Sequence, residues 1–178
     1  DWLDLVALGT VADIAPLSGE NRALVRAGLD QMRATERQGL YSLAQVSGIR
    51  LENINAGNIG FGLGPRLNAA GRLDSALAAF ELLTARDVFN AGMLAQQLDA
   101  QNAQRKDLTL RVQEQAVQSA LQADPDNPVI FAASPEFNEG VVGLAASRVA
   151  EQLYRPAIIG SVSDTNIVAS CRSIPEFN

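Results

Sequence analysis

The spacing of hydrophobic residues changes several times along the chain, and each change predicts an element. From Ser18, the stretch SGENRALVRAGLDQMRA repeats apolar positions at Leu24, Val25, Gly28, Leu29 and Met32. That is helical spacing, with Glu20 and Asn21 at the front where a helix begins. A second short helix is predicted over residues 40–46, ahead of a turn at Gly48. Upstream, WLDLVAL (residues 2–8) reads as a short buried strand or a helix end. GTVADIAPL follows, read as a Gly-Thr turn with Asp13 between apolar neighbours. Residues 52–64, ENINAGNIGFGLG, are rich in Asn and Gly and read as loop with one short strand. GPRLNAAGRL (residues 64–73) closes that loop, and residues 75–83 are helical in pattern.

The longest periodic stretch comes next. Thr84, with Asp87 three residues later, has the form of a capping box. From there to about residue 123 there is no proline, and the only glycine is Gly92. Ala91, Ala95, Leu98, Arg105, Leu108, Val112, Ala116 and Ala120 keep a helical period. One helix of this length would run roughly 50 Å at 1.5 Å per residue, longer than a small domain is wide. It is expected to bridge two domains; the alternative is two packed helices broken near Asn102. DPDNP (residues 124–128) marks a boundary. PVIFAAS then reads as a buried strand, FNEGVVGLAASRVAEQLY as loop then helix from near Gly140, and RPAIIGS and IVASCRS as second and third strands. Strand, helix, strand in that order implies a parallel pair with a crossover helix, and an α/β fold class. Three strands and one helix are few for a free-standing α/β domain, so the chain is expected to be part of a longer protein.

Composition narrows the chemistry. The 178 residues are 47% hydrophobic and 5% aromatic, enough for a core built mainly from Ala, Leu and Val. No apolar run approaches the roughly 18 residues of a membrane span, so no membrane association is expected. DWLDLVALG has no basic n-region and does not read as a signal peptide. The single cysteine, Cys171, excludes a disulfide within the chain and points to a reducing compartment, hence a cytoplasmic location. There is no histidine. Its absence removes Ser-His and Cys-His nucleophile systems and every His-ligated metal site within these residues. Net charge is −6, which excludes nucleic-acid binding by bulk charge and leaves only a local arginine cluster for that task. Thirteen of the fourteen basic residues are Arg, the exception being Lys106. Genomic base composition can produce that bias without any selection for phosphate binding.

Candidate chemistry gathers in a few places. GPRLNAAGRL carries Arg66 and Arg72 with Asn68 between them and a glycine at each end of the pattern, Gly64 and Gly71. Two guanidinium groups near a close-approaching backbone suit a phosphate, because Arg makes bidentate bonds to phosphate oxygens and keeps its charge. A glycine-punctuated turn with solvated arginines is the other reading. Asp13 reads as a turn or cap residue, or as one ligand of a hard divalent cation that would need further oxygen ligands from elsewhere. Gly140 and Gly143 sit at a strand-to-helix passage, where they could serve anion binding or close packing. Ser170 and Arg172 alternate along the third strand and so share a face, with Ser173 just after. That face could hold a terminal phosphate, or be the polar side of an edge strand.

Four of these stretches, in order, resemble one family. LVALGTVADIAPLSGENRALVRAGL resembles the fourth motif of the DHH phosphoesterases, specifically the RecJ single-stranded-DNA exonucleases. GPRLNAAGRL resembles their arginine motif, the long helix their connector, and EGVVGLAASRVAEQLYRPAII followed by ASCRS the start of their DHHA1 domain. The resemblance implies a division into residues 1–86 (the end of a DHH domain), 87–123 (the connector helix) and 124–178 (the first part of DHHA1). It also implies an enzyme of DNA repair and recombination that degrades single-stranded DNA from the 5′ end with Mn²⁺ or Mg²⁺. A single-stranded-DNA-binding protein is the partner it suggests. By position, Asp13 would be a metal ligand, and Arg66, Asn68 and Arg72 would lie along the DNA near the scissile phosphate, Arg66 in a catalytic role. Ser170, Arg172 and Ser173 would read the 5′ phosphate.

The departures from the family pattern define the alternatives. The other metal-binding motifs, DxD and DHH, are not among these residues, so the chain alone is expected to form no stable metal site and to be inactive. Phe137 and Asn138 replace the usual Trp-His, and Ala169-Ser170-Cys171-Arg172-Ser173 replaces Gly-Ser-Gly-Arg-Ser. Losing both glycines adds side chains where backbone is expected to approach DNA. A degenerate, non-catalytic DNA-binding or scaffold protein is one alternative. A DHH-type phosphodiesterase of short oligonucleotides or cyclic dinucleotides is the other.

Overall fold

A computed structural model describes residues 2–177. The chain is α/β and forms two compact units, Asp1–Ala103 and Gln104–Asn178.

The described residues of the first unit form helices and turns, with no strand among them. Its elements are α1 (Leu3–Ala12), α2 (Gly19–Arg33), α3 (Gln38–Val46), a 3₁₀ turn (Leu51–Asn53), α4 (Ala56–Asn58), a π-helical turn (Ile59–Leu63), α5 (Gly64–Leu73), α6 (Leu77–Thr84) and the first part of α7 (Val88–Ala123). α2 begins and ends where its pattern predicts, with Ser18 at the N-cap position, although Leu24 lies on the exposed side. Its buried positions are Val25, Gly28 and Met32.

Three expectations for this unit are corrected. Residues 3–8 take the helical of the two readings, as the start of a ten-residue helix that continues through the expected Gly-Thr turn to Ala12. Gly9 is accommodated in the helix, and Thr10 donates its hydroxyl proton back to the Val6 carbonyl at 2.7 Å. Residues 52–64 contain no strand: Ile59 and Leu63 are fully buried, and burying them winds the Asn- and Gly-rich stretch into helical turns. GPRLNAAGRL is therefore one α-helix following directly on the π-helical turn, with Pro65 at its second position. Finally, Thr84 does not open the long helix. Its hydroxyl donates to the Phe80 carbonyl at the end of α6, while the Asp87 carboxylate caps α7 by accepting from the Asn90 N–H at 2.7 Å.

Glycines let the helices of this unit approach closely. A Cβ at Gly28 would stand 2.2 Å from the Leu3 carbonyl oxygen and 2.5 Å from the Ala7 Cβ. One at Gly39 would stand 1.8 Å from the Leu82 carbonyl oxygen, and one at Gly64 would stand 3.0 Å from the Ala12 Cβ. Around these contacts Ala7, Leu8, Met32, Leu40, Leu43, Ile54, Ile59, Leu63, Ala70 and Leu82 form one core. At its edge the buried Asp4 pairs with the Arg37 Nε at 2.6 Å, and the guanidinium lies 4.7 Å over the Trp2 ring.

α7 is a single helix of 36 residues, unbroken at Asn102, and the boundary between the two units falls inside it. Its buried positions include Ala91, Ala95, Leu98, Asn102, Thr109, Val112, Ala116 and Ala120. The alternating four- and three-residue spacing continues through polar residues at the middle, so Thr109 rather than Leu108 is the buried member there.

The second unit carries β1 (Ile130–Ser134), α8 (Glu139–Leu153), β2 (Ala157–Val162) and β3 (Ile167–Arg172) in a sheet of order β1-β2-β3. β1 and β2 are parallel, joined by α8 as the crossover, and β3 adds antiparallel to β2. Ile130, Ala132, Ala157 and Ile159 are buried on one sheet face, and Val141, Val142, Ala145, Ala146, Val149 and Ala150 are the buried residues of α8. Phe131, on the other sheet face, is exposed.

Replacing Gly39 by Ala tests the closest of these contacts. The methyl group cannot fit against the Leu82 backbone without moving α3 or α6, so a loss of about 1–3 kcal/mol is expected. It should appear as a lower urea midpoint with an unchanged denaturant slope. An unchanged midpoint would show that the two helices are free to separate.

Candidate nucleic-acid interface

Asp13 takes the C-cap position of α1, with its backbone N–H bonded to the Gly9 carbonyl and its carboxylate exposed. The next residue, Ile14, has φ +56°. A β-branched side chain is strained in the left-handed region, and such strain persists only where the surroundings impose it. Asp13 and Asn68 line a common cavity of ≈ 290 Å³, closed on its apolar side by Leu5, Leu8 and Leu67. The Gly64 contact with Ala12 makes this possible by seating the start of α5 on the end of α1.

The helical form of GPRLNAAGRL sorts its polar residues. Asn68 and Arg72, four apart, share an exposed face. Arg66 is two residues from Asn68, roughly 200° around the helix, and points elsewhere. Its Nε donates to Asp99 Oδ1 on α7 at 2.8 Å and its Nη1 to the Gly62 carbonyl at 2.9 Å. Its side chain keeps 15% of its exposure. The two arginines therefore do not aim at one point, and Gly64 serves close packing against Ala12, whereas Gly71 is exposed with room for a side chain.

In the second unit Ser170 and Arg172 lie on the α8 side of β3. They pair across the sheet with the buried Ile159 and Ala157. Arg172 Nη1 donates to Ser170 Oγ at 3.0 Å and to the Cys171 carbonyl at 2.8 Å, and Nε donates to Ser147 Oγ on α8 at 3.0 Å. Ser173 lies beyond the strand, where its hydroxyl donates to the Ile174 and Phe177 carbonyls, apart from the Ser170–Arg172 pair. The side chains that replace the expected glycines, Ala169 and Cys171, alternate onto the opposite sheet face. Room for Ala169 comes from Gly160, its cross-strand partner, whose own Cβ would stand 3.3 Å from that of Ala169. The Phe137 and Asn138 replacements also have structural places: Phe137 is buried, and the Asn138 side chain caps α8 by accepting from Gly140 N–H at 2.9 Å. At the far end of α8, Tyr154 donates its phenolic proton to Glu176. That bond to a carboxylate holds the phenol above its ordinary range.

Among the described residues, no three of His, Cys, Asp and Glu come together as metal ligands. Asp13 supplies one carboxylate, fewer oxygen ligands than Mg²⁺ or Mn²⁺ takes. These residues do not by themselves fit a resident divalent cation. Among them no helix is long and apolar enough to cross a membrane. Sequence reasoning missed Asp99 and Ser147, which hold Arg66 and Arg172. Each lies more than twenty residues from its partner, and no local pattern marks either.

The arrangement has known counterparts. The structure of RecJ from Thermus thermophilus, determined in complex with Mg²⁺ and with Mn²⁺, superimposes with a TM-score of 0.85 at 36% identity. It covers 97% of this chain; the chain covers 26% and 25% of the two solved chains. The fold is thus that of a segment of RecJ. The single-stranded-DNA-specific exonuclease RecJ of Bacillus subtilis is 39% identical over all of this chain and 23% of its own length. That of Dickeya dadantii is 42% identical over 98% of this chain and 31% of its own length. No family model matches. The chain belongs to the RecJ family, and it spans between about a quarter and a third of the length of the curated relatives it matches.

The Arg66–Asp99 tie can be measured directly. A double-mutant cycle of Arg66→Ala and Asp99→Ala, read by urea denaturation, is expected to give a coupling of about 1 kcal/mol. The half-exposed carboxylate keeps it below the value of a fully buried pair. Additive single losses would mean that the pair is not formed in solution.

Proposed function

We propose that this chain is part of a metal-dependent exonuclease that degrades single-stranded DNA from the 5′ end and acts in DNA repair and recombination. In this reading residues 1–86 end the DHH domain, 87–123 connect, and 124–178 begin the DHHA1 domain. The observation that carries it is the sharing of one cavity by Asp13 and Asn68, in a chain 39–42% identical to RecJ exonucleases over nearly its whole length.

Asp13 is then one ligand of Mn²⁺ or Mg²⁺, the others coming from elsewhere in the longer protein. The metal, when bound, supplies activated water and neutralises charge at the phosphorus centre. Asn68 and Arg72, exposed one turn apart, bond to phosphate oxygens of the strand. Arg66, held at Nε and Nη1, has Nη2 left for a phosphate near the bond to be cut. Being fixed before the substrate arrives, it loses little freedom on binding. In the second unit, Ser170 and Arg172 receive the 5′ phosphate, with Ser173 at the margin. The protein works in the cytoplasm, and a single-stranded-DNA-binding protein is a partner that would present the strand.

In the full-length protein, Asp13→Ala should lower Mn²⁺-dependent degradation of 5′-phosphorylated single-stranded DNA by about 100-fold or more, with the fold retained. The 178 residues assayed alone should show no degradation. A full-length protein that binds the strand but never cuts it would favour the non-catalytic scaffold reading. Preference for dinucleotides over long strands would favour the short-oligonucleotide phosphodiesterase.

Arg72→Ala should weaken single-stranded-DNA binding about equally for all sequences. It should also reduce the slope of log affinity against log salt by about 0.7, the signature of one lost phosphate contact. An unchanged slope in a titration from about 50 to 200 mM salt would remove Arg72 from the interface.

A further inference from the structure

Ser147 makes two hydrogen bonds that together fix the direction of Arg172. Its hydroxyl donates to the Gly143 carbonyl one turn earlier on α8 at 3.1 Å, and accepts from Arg172 Nε at 3.0 Å. Donating its proton to the backbone leaves the oxygen lone pairs facing β3, so the hydroxyl is oriented as an acceptor before any ligand is present. Ser170 Oγ and the Cys171 carbonyl accept from Nη1. The guanidinium is thus engaged at Nε and Nη1 by three acceptors from two elements.

The remaining edge, Nη2, lies beside Gly143. A Cβ there would stand 3.6 Å from Nη2 and 3.3 Å from Ser170 Oγ. Gly143, Ser147 and Glu151 follow one another at single-turn spacing along α8, and Glu151 lines the cavity next to Ser147 and Arg172. Nε is held at Ser147, and Nη2 lies beside Gly143, one turn nearer the start of α8. The Ser170 hydroxyl, which accepts from Arg172, keeps its own proton to donate beside that edge.

We propose that Ser147 is a positioning residue for recognition of the 5′ phosphate. It holds Arg172 so that Nη2 and the Ser170 hydroxyl present donors to one phosphate, and the missing side chain at Gly143 keeps the approach open. The inference rests on the proposed role of Ser170 and Arg172 as receivers of the 5′ phosphate. Without the Nε bond a flexible arginine still attracts the anion, but it loses rotamer entropy on aligning. The effect therefore falls on discrimination between strand ends, not on the chemical step.

The test uses the full-length protein with Ser147→Thr and Ser147→Val, which match in shape and differ in the hydroxyl. Steady-state kinetics are measured on the same strand carrying a 5′ phosphate or a 5′ hydroxyl. Ser147→Thr should keep the preference of the wild type for the phosphorylated end. Ser147→Val should lose about tenfold of it through KM for that substrate, with kcat on the 5′-hydroxyl strand unchanged, as expected for one bond to a charged group. Equal behaviour of the Thr and Val variants, or an equal fall on both substrates, overturns the role of Ser147. A wild type indifferent to the 5′ phosphate overturns the reading of Ser170 and Arg172 itself, which separates the two failures.

Discussion

Close backbone contact between helices is the constraint on which the first unit depends. At Gly28 and Gly39 there is no room for even one carbon atom, because a backbone carbonyl of the facing element occupies the place. Helices that meet this closely exchange many small van der Waals contacts, and the arrangement tolerates little sliding. Gly64 extends the same principle to the end of α1. Asp13 and Asn68, far apart in the chain, come to line one cavity because α1 and α5 cannot sit further apart without emptying the core. The candidate interface is in this sense a by-product of packing, placed by residues that themselves carry no chemistry.

The second unit solves a similar problem with polar atoms. Arg172 stands at the end of an edge strand, where a long side chain ordinarily samples many rotamers. Here the adjacent helix offers a hydroxyl, and the strand itself offers a second hydroxyl and a carbonyl. The two arginines held in this way, Arg66 and Arg172, are gripped at Nε and Nη1 and leave the same edge, Nη2. Asp99 grips one with charge and Ser147 grips the other without it. The first grip also offsets the cation it orients, and the second leaves its charge undiminished.

Much of this is legible in the residues. The helix from Gly19, the short helix before Gly48, the long helix without Pro and the strand–helix–strand order all follow from period and punctuation, and the structure has each of them. Where pattern and structure part, the reasons are identifiable. Asn and Gly in residues 52–64 signal loop locally, but Ile59 and Leu63 are core residues and tertiary burial decides the matter. The arginine motif has the composition of a turn because glycine ordinarily signals conformational freedom, whereas in this fold Gly64 provides clearance for α1. Thr84 and Asp87 have the spacing of one cap and instead belong to two helices. Arg66 with Asp99, and Arg172 with Ser147, are pairs that only the folded chain brings together.

The strained turn at Ile14 bears on how the region behaves outside its fold. A residue that would relax to negative φ if released stays at +56° because the Ile14 and Ala15 N–H groups bond back to the Val11 and Thr10 carbonyls and close the end of α1. The geometry after Asp13 is therefore borrowed from the packed unit. A peptide spanning GTVADIAPL carries the carboxylate and every neighbour in sequence, yet free in water it would abandon the bend that sets the carboxylate beside α5. Mimicry of this region by short linear segments is closed off for the same reason that the intact unit holds it still.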